Sequence, residues 1–316
     1  MKLLLAPMEG IIDCYMRKLL TEIGGYDACV TEFIRVVDHL IPEKVFYRYC
    51  PELRNNGQTA SGTPVIVQLL GSNPGAMAEN ACRAVEMGAP GIDLNFGCPA
   101  KCVNKKSAGA FLLQEPEKLF DIISTVRNAV DHTIPVSAKI RLGYDSTELA
   151  LENAHAVQSA GANFITVHAR TKADKYQKPA RWEWLAKINQ ALDIPMINNG
   201  DINCVEDFKH CIEISGSQDI MIGRGAVSRP DLAKQIKSFH NDNIQPDEMS
   251  WDEVKLLLIN MAQLMKPSVK SQFIVARIKQ WLVMLKREYQ EARACFDDIR
   301  HLKHYSELEM ILGACK

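Results

Sequence analysis

The stretch LNFGCPAK, Leu94 to Lys101, sets Cys98 between a glycine and a proline, directly after a run that reads as a β-strand. A thiol placed there is a candidate proton donor, nucleophile, metal ligand or disulfide partner. An ordinary thiol titrates near about 8.5, so at neutral pH it holds its proton yet can give it up in a reaction. A carboxylate in its place would already be ionised. Nucleophilic use needs a base, and none lies nearby in sequence; a loop after the strand-end Asn95 is poorly placed for core. Lys139 lies inside the apolar stretch VSAKIRLG. A lysine facing a protein interior is costly unless it is paired or used. It suits a cation beside the N1/C2 edge of a flavin, a Schiff-base lysine, or a plain surface lysine at a strand end. Gln68 suits a flavin edge or a satisfied interior amide, and His168 a phosphate, a substrate or a structural role. NNGD and IGRG, around Gly200 and Gly223, bring glycine where backbone N–H groups can approach a phosphate, and Arg224 adds a charge-assisted contact. Either loop alone reads as a tight turn; the two together favour phosphate.

These residues need a scaffold that brings them together. Short β-rich runs recur at 3–8, 26–33, 63–70, 90–97, 134–143, 162–170, 194–201 and 218–225, each followed by an amphipathic segment. Continuous apolar runs of this length suit strands buried on both faces of a parallel sheet. Pro116 opens one helix, and Gly88 and Gly161 close two others. Eight β-α units in about 240 residues predict an α/β fold of (β/α)8 TIM barrel type. A doubly wound sheet would carry an early G-x-G-x-x-G loop, and none follows the first strand. Barrel chemistry sits at the C-terminal strand ends, where Pro7–Glu9, Glu32, Arg35, Gln68, Asn95, Cys98, Lys139, Arg141, His168, Arg170, Asn199–Asp201 and Gly223–Gly225 fall. The loops after strands seven and eight are the usual phosphate cradle, commonly for a ligand such as FMN. From about 241 the polar NDNIQPDEMS reads as a linker. Helical stretches near 251–265, 275–289 and 290–313 follow, with no strand. The expected division is a barrel over 1–243 and a small all-helical domain over 244–316.

The 316 residues are 47% hydrophobic and 24% charged, ordinary for a globular protein. MKLLLAPMEG is too short an apolar stretch for a signal peptide, and no run reaches the roughly 20 residues that span a bilayer. A cytoplasmic location is expected, where thiols stay reduced and a Cys98–Cys102 disulfide is disfavoured. The ten cysteines show no C-x-x-C pair and no zinc ladder, so no metal is expected. Cys14, Cys29, Cys50, Cys82, Cys211 and Cys295 read as small core residues, and Cys102 as packing.

Eight motifs in order then resemble a known family, the tRNA-dihydrouridine synthases: APMEG, TEFIRV, VQLLG, DLNFGCPAK, KIRLG, HARTK, NNGDI and MIGRGA. The most specific is N-x-G-C-P. VARIKQWLVMLKREY resembles the tail of the C-type bacterial branch, which modifies position sixteen of the tRNA D-loop. The resemblance is nearly full length. It implies a barrel carrying FMN, a helical domain that holds tRNA, and NADPH as reductant. The implied reaction is reduction of a uridine C5=C6 bond by an oxidoreductase acting on a CH–CH group with NAD(P). Hydride passes from flavin N5 to C6, and Cys98 gives the proton to C5. Pro7, Met8, Glu9, Gln68, Lys139, His168, Asn199, Gly200, Asp201, Gly223 and Arg224 would line the FMN. Asn95 would bond the uracil edge, and Arg35, Tyr176, Arg277, Lys279 and Arg300 would touch tRNA. A monomer is expected. Two departures stand out: CVNKKSAGA brings Lys105 and Lys106 where the family is richer in glycine, and Met284 replaces an aromatic residue. A stiffer loop in direct contact with RNA is expected there.

The charge pattern bears on RNA separately. No acidic residue lies between Glu253 and Glu288, but Lys255, Lys266, Lys270, Arg277, Lys279, Lys286 and Arg287 do. The loop after strand six adds Arg170, Lys172, Lys175, Lys178 and Arg181 against Asp174. Such patches suit RNA, or simply solvated surface. The rivals are synthesis at another D-loop position, a small-molecule FMN barrel of dihydroorotate dehydrogenase type, and a non-catalytic RNA-binding barrel.

Overall fold

A computed structural model describes residues 1–177, 179–244 and 246–314, so Lys178 of the expected basic loop lies outside the described residues. Eight parallel strands close a barrel: β1 (Leu3–Leu5), β2 (Ala28–Val30), β3 (Val65–Leu70), β4 (Ile92–Phe96), β5 (Val136–Arg141), β6 (Phe164–His168), β7 (Met196–Asn199) and β8 (Ile220–Ile222). β1 pairs with both β2 and β8, and β2 pairs with β3, so no edge is left open. A two-residue strand at Ile34–Arg35 extends the pairing along β3. The fold expected from the sequence is the fold observed.

Alternation along each strand separates two environments. Outward residues such as Val65, Val67, Leu69, Ile92, Leu94, Phe96, Ile165 and Val167 join one large core with the surrounding helices. Inward residues form a small apolar plug of Leu4, Ala6, Val30, Ile66, Ile197 and Met221. Elsewhere the interior is polar: Gln68, Asp93, Asn95, Ser137, Arg141, Thr166, His168 and Asn199 are all buried. The middle strands are therefore apolar on one face only, not on both as the runs suggested. Register sets the polar residues in rows, with Asn95 beside Lys139 and Arg141 beside His168, which in turn lies beside Asn199.

The helices between strands begin and end on local signals. Asn73 caps Pro74–Glu86 through its side chain, with proline at the first turn. Gly88 and Gly161 take left-handed φ values of 97° and 84° just past their helices, as their positions suggested.

Four helices follow the barrel: Trp251–Met265, Ser271–Leu285, Glu291–Ile299 and Tyr305–Ala314. Three were expected; the third stretch is broken at about 300–304, where a turn lets the last helix pack back. The first starts with a full capping box between Ser250 and Glu253. Ile274, Ile278, Trp281, Leu282 and Leu285 give the second a buried face continuous with the barrel's outer core. The Trp281 indole N–H donates to the Val227 carbonyl at 2.9 Å. Arg277 is 8% exposed; it bonds Asp13 at 3.0 Å and also the Ile11 carbonyl. Asp13 caps the helix Cys14–Ile23, so one carboxylate joins the first helix of the barrel to the tail.

Cys29, Cys50, Cys211 and Cys295 are buried, whereas Cys14 and Cys82 are only partly so; Cys14, Cys29, Cys50, Cys82, Cys98, Cys102 and Cys211 are free thiols. Among the described residues no helix is long and apolar enough to cross a membrane, and no group of three ligating side chains could hold a metal.

Candidate active site

A cavity of about 780 Å³ opens at the C-terminal strand ends. That size suits a small-molecule cofactor with room to spare. Every residue expected at the FMN lines it: Pro7, Met8, Glu9, Gln68, Lys139, His168, Asn199, Gly200, Asp201, Gly223 and Arg224. Cys98, Asn95 and Tyr176 line it too. So do Phe33, Lys101, Asn203 and Arg287, which the sequence reading did not assign to the site, and Met284.

The floor under β5–β8 is dominated by cations. The Lys139 ammonium donates to Asn199 Oδ1 at 3.0 Å, and Asn199 in turn donates to the Met221 carbonyl. Burial, then the nearby Arg141 charge, pulls the Lys139 pKa down to about 8, against the pull of Asp93. His168 sits well below its usual range: burial leads, and Arg141, Lys139, Arg170 and Arg224 all disfavour its charged form. It is neutral at working pH. Asp201 is the counter-charge, pairing with Arg224 at 3.0 Å and with the fully buried Arg170. It takes a left-handed φ of 53° and also accepts the Ala180 N–H, so the pairing fixes the β7 loop. Arg224 and Arg141 flank the Tyr176 ring at 5.1 Å and 5.6 Å.

The cradle after β8 is tightly built. A Cβ at Gly225 would lie 2.2 Å from the Ile202 carbonyl, so only glycine lets the β7 and β8 loops meet there. Together Arg224, Lys139 and the neutral His168 make a donor set fit for a phosphate and an electron-rich ring. Asp201 is shared between Arg170 and Arg224, so one carboxylate faces two guanidinium charges there.

Across the cavity, the loop after β4 holds Cys98 in place from several sides. The N–H groups of Gly97 and Cys98 both donate to Asn95 Oδ1 at 3.0 Å. Asn104 Nδ2 and the Ala110 N–H hold the Cys98 carbonyl at 3.0 and 3.1 Å. Arg141 Nε donates to the Gly97 carbonyl at 2.8 Å. Burial pushes the Cys98 thiol up, and Glu9 adds to this while Arg141 opposes it. Cys98 is therefore a protonated thiol at neutral pH, buried in a cavity wall against Leu70, Val103 and Ala108. Lys105 and Lys106 follow the one-turn helix Lys101–Asn104 and point to solvent.

The expected RNA contacts divide. Arg35 reaches the Cys102 carbonyl at 3.4 Å on the exposed rim. Tyr176 is 55% exposed over the cavity. Arg300 is exposed near Asp297. Lys279 instead donates to the carbonyls of Arg300 and Leu302, holding the end of a helix. Arg277 is spent between tail and barrel, as described above. Neither of these two charges faces the cavity.

The dihydrouridine synthase family model matches residues 4–312. The chain is 48% identical over 314 residues to a tRNA-dihydrouridine(16) synthase of Pseudomonas syringae pv. tomato, covering 99% of this chain and 98% of that one. It is 48% identical over 312 residues to a tRNA-dihydrouridine(16) synthase of Shewanella oneidensis, covering 99% and 97%. Among solved structures, a 2-naphthoyl-CoA reductase complex superposes with a TM-score of 0.55 at 12% identity, over 74% of this chain and 50% of that one. That likeness is one of fold alone. The family match over almost the whole length, the close full-length relatives and the thiol opposite a cation-lined cradle agree: the chain belongs to the dihydrouridine synthase family.

Proposed function

We propose that this protein is an FMN-dependent tRNA-dihydrouridine synthase that reduces the C5=C6 bond of a D-loop uridine, U16, with NADPH as reductant. The observation that carries the reading is the pairing, in one cavity, of a buried protonated thiol with a floor of cations around a neutral histidine. In this reading residues 1–243 hold the flavin and residues 244–316 help hold tRNA. Arg224 and His168 would hold the phosphate, Lys139 would meet the ring edge that gains negative charge, and Asp201 keeps Arg224 aimed. Bound FMN supplies the hydride that adds at uracil C6.

The chain's own groups do the rest. Asn95 Oδ1 already accepts two backbone N–H groups, and one Nδ2 hydrogen goes to Gln68. One Nδ2 hydrogen remains, so Asn95 meets uracil as a donor to a carbonyl oxygen. Charge building toward C5 and that carbonyl is stabilised there. Cys98 delivers its proton to C5; a raised thiol pKa keeps that proton in place until charge builds. The base must leave its stack to enter the cavity, and a loop uridine costs least to extract. Tyr176, Arg35 and Arg300 lie on the surface that RNA would cover. Arg277 and Lys279, the other two residues on the tail side, also brace the helices that carry that surface.

The test is spectroscopic. Purified protein should carry oxidised-flavin absorbance, lose it with NADPH, and regain it faster with unmodified tRNA than with buffer or orotate. Colourless protein that takes up no FMN, or reoxidation indifferent to tRNA, would sink the reading. Dihydrouridine mapping of the product RNA reports the position.

A further inference from the structure

Asp93 has no part in the reaction described above, yet it is 1% exposed in the barrel interior beneath the cavity. A buried carboxylate is expensive and calls for an explanation. Its two oxygens are both engaged. Oδ1 accepts from the Ser137 hydroxyl at 2.7 Å, and Oδ2 accepts from Gln68 Nε2 at 2.7 Å. A carboxylate only accepts, so it forces the Gln68 amide to present nitrogen inward and oxygen outward. Gln68 Oε1 then accepts from Asn95 Nδ2 at 2.7 Å. That bond in turn leaves Asn95 Oδ1 for the N–H groups of Gly97 and Cys98. Each amide has one orientation compatible with its neighbours, because any single flip sets donor against donor or acceptor against acceptor.

We infer that Asp93 is a positioning residue, fixing through Gln68 and Asn95 both the loop that carries Cys98 and the donor edge that Asn95 offers. The polarity starts at a carboxylate that cannot donate and ends at backbone N–H groups that cannot accept. Two amides between these ends make the chain self-consistent. The Cys98 loop is thus held from an anchor, Asp93, that lies inside the barrel and does not line the cavity. The inference deepens the proposed function and rests on it for the meaning of the Asn95 edge; the loop-holding part stands without it.

Alkylation of the ligand-free protein by iodoacetamide tests the loop directly, with peptide mass spectrometry separating Cys98 from the exposed Cys102, which serves as internal reference. Asp93→Ala should speed Cys98 modification by about tenfold, the effect of one buried hydrogen bond lost. Gln68→Met breaks the same chain while leaving Asp93 with Ser137, and should give the same acceleration even if Asp93→Ala does not fold. Asp93→Asn should restore slow modification: its carbonyl can take Gln68 Nε2, and its amide can donate to Ser137, whose hydroxyl can turn to the Ile92 carbonyl. In steady state with tRNA, Asp93→Ala should lower kcat about 100-fold with KM nearly unchanged, as expected for a misplacement near 1 Å. Cys98 reactivity within twofold of wild type in both Asp93→Ala and Gln68→Met would overturn the inference. So would an Asp93→Asn protein that behaves like Asp93→Ala. Absence of tRNA turnover in the wild type would instead defeat the functional reading, leaving the alkylation result to judge the relay.

Discussion

Basic residues at the barrel mouth and basic residues on the C-terminal helices look alike in sequence and end differently. At the mouth, Lys139 and Arg141 at the end of β5 and Arg224 just after β8 line one cavity. On the helices, seven basic residues in an acid-free run disperse. Arg277 is buried against Asp13, Lys255 pairs with Asp252, and Lys279 caps a helix end. Lys266 and Lys286 lie over Tyr305 and Phe296 at 5.0 Å and 3.3 Å. Only Arg287 of that run lines the cavity. The loop after β6 divides in the same way: Arg170 is locked to Asp201 and Arg181 to Asp174, while Lys175 lines the cavity. A helix sends successive like charges around its circumference, whereas parallel strand ends send them to one place. Charge density in sequence is therefore a weaker guide to a binding face than strand position.

Substitutions at the mouth and on the helices separate the two roles. The largest effect should come from the mouth. Cys98→Ala should slow uridine reduction by 100-fold or more, roughly the contribution of a positioned general acid. Flavin content and tRNA affinity should hold. Normal single-turnover reoxidation by tRNA in that variant would remove Cys98 as proton donor.

Next in size is a stability effect on the helices. Arg277→Ala removes one partner of a buried ion pair and should cost about 3 kcal/mol of unfolding free energy. Urea denaturation reads this without RNA. An Arg277→Ala protein as stable as wild type but weak for tRNA would return Arg277 to the RNA surface.

Protonation gives a third contrast. Lys139 should lose its charge as pH rises through about 8, so FMN affinity should weaken over that range and be flat in Lys139→Met. The stability sign is opposite. The folded pKa is about 8 and the unfolded one about 10.5, so between these values the unfolded chain binds more protons. Stability should therefore rise with pH across that window, as the cost of burying the charge is relieved. Asp93 mirrors this at acid pH: raised from 3.8 to about 6 by burial, it makes stability fall as pH rises through that interval. Titration of FMN fluorescence and pH-dependent melts check the two signs.

The smallest effects should come from solvent-facing charges. Arg287→Ala, and separately Lys105→Ala with Lys106→Ala, should each weaken tRNA binding a few-fold and reduce the salt slope by about one per charge removed. Filter binding across a salt series measures this. An unchanged slope would take the charge concerned off the RNA path.

Much of the site was legible because strand ends in this fold are address labels. Once the eight runs were recognised, the residues at their ends had to converge, and the glycines after β7 and β8 marked the cradle. The polar interior was harder to see. In IDLNF and VSAKIR the alternate positions Asp93, Asn95, Ser137, Lys139 and Arg141 carry the signal, but β-rich runs read as apolar throughout hide a period of two. Asp93 was missed for that reason. The pairing of Arg277 was not visible because it depends on Asp13, a residue far away in the chain that no local pattern links to it.

The barrel, its strand ends, the thiol after β4 and the family can all be read along the chain. Those follow from local hydrophobic pattern, glycine placement and ordered motifs, all written along the chain. Tertiary structure alone decided which charges face the cavity, which are consumed in struts, and how Asp93 reaches Cys98 through two amides. These depend on distances between residues far apart in sequence, and a hydrogen bond or ion pair exists only where the folded chain brings its partners together.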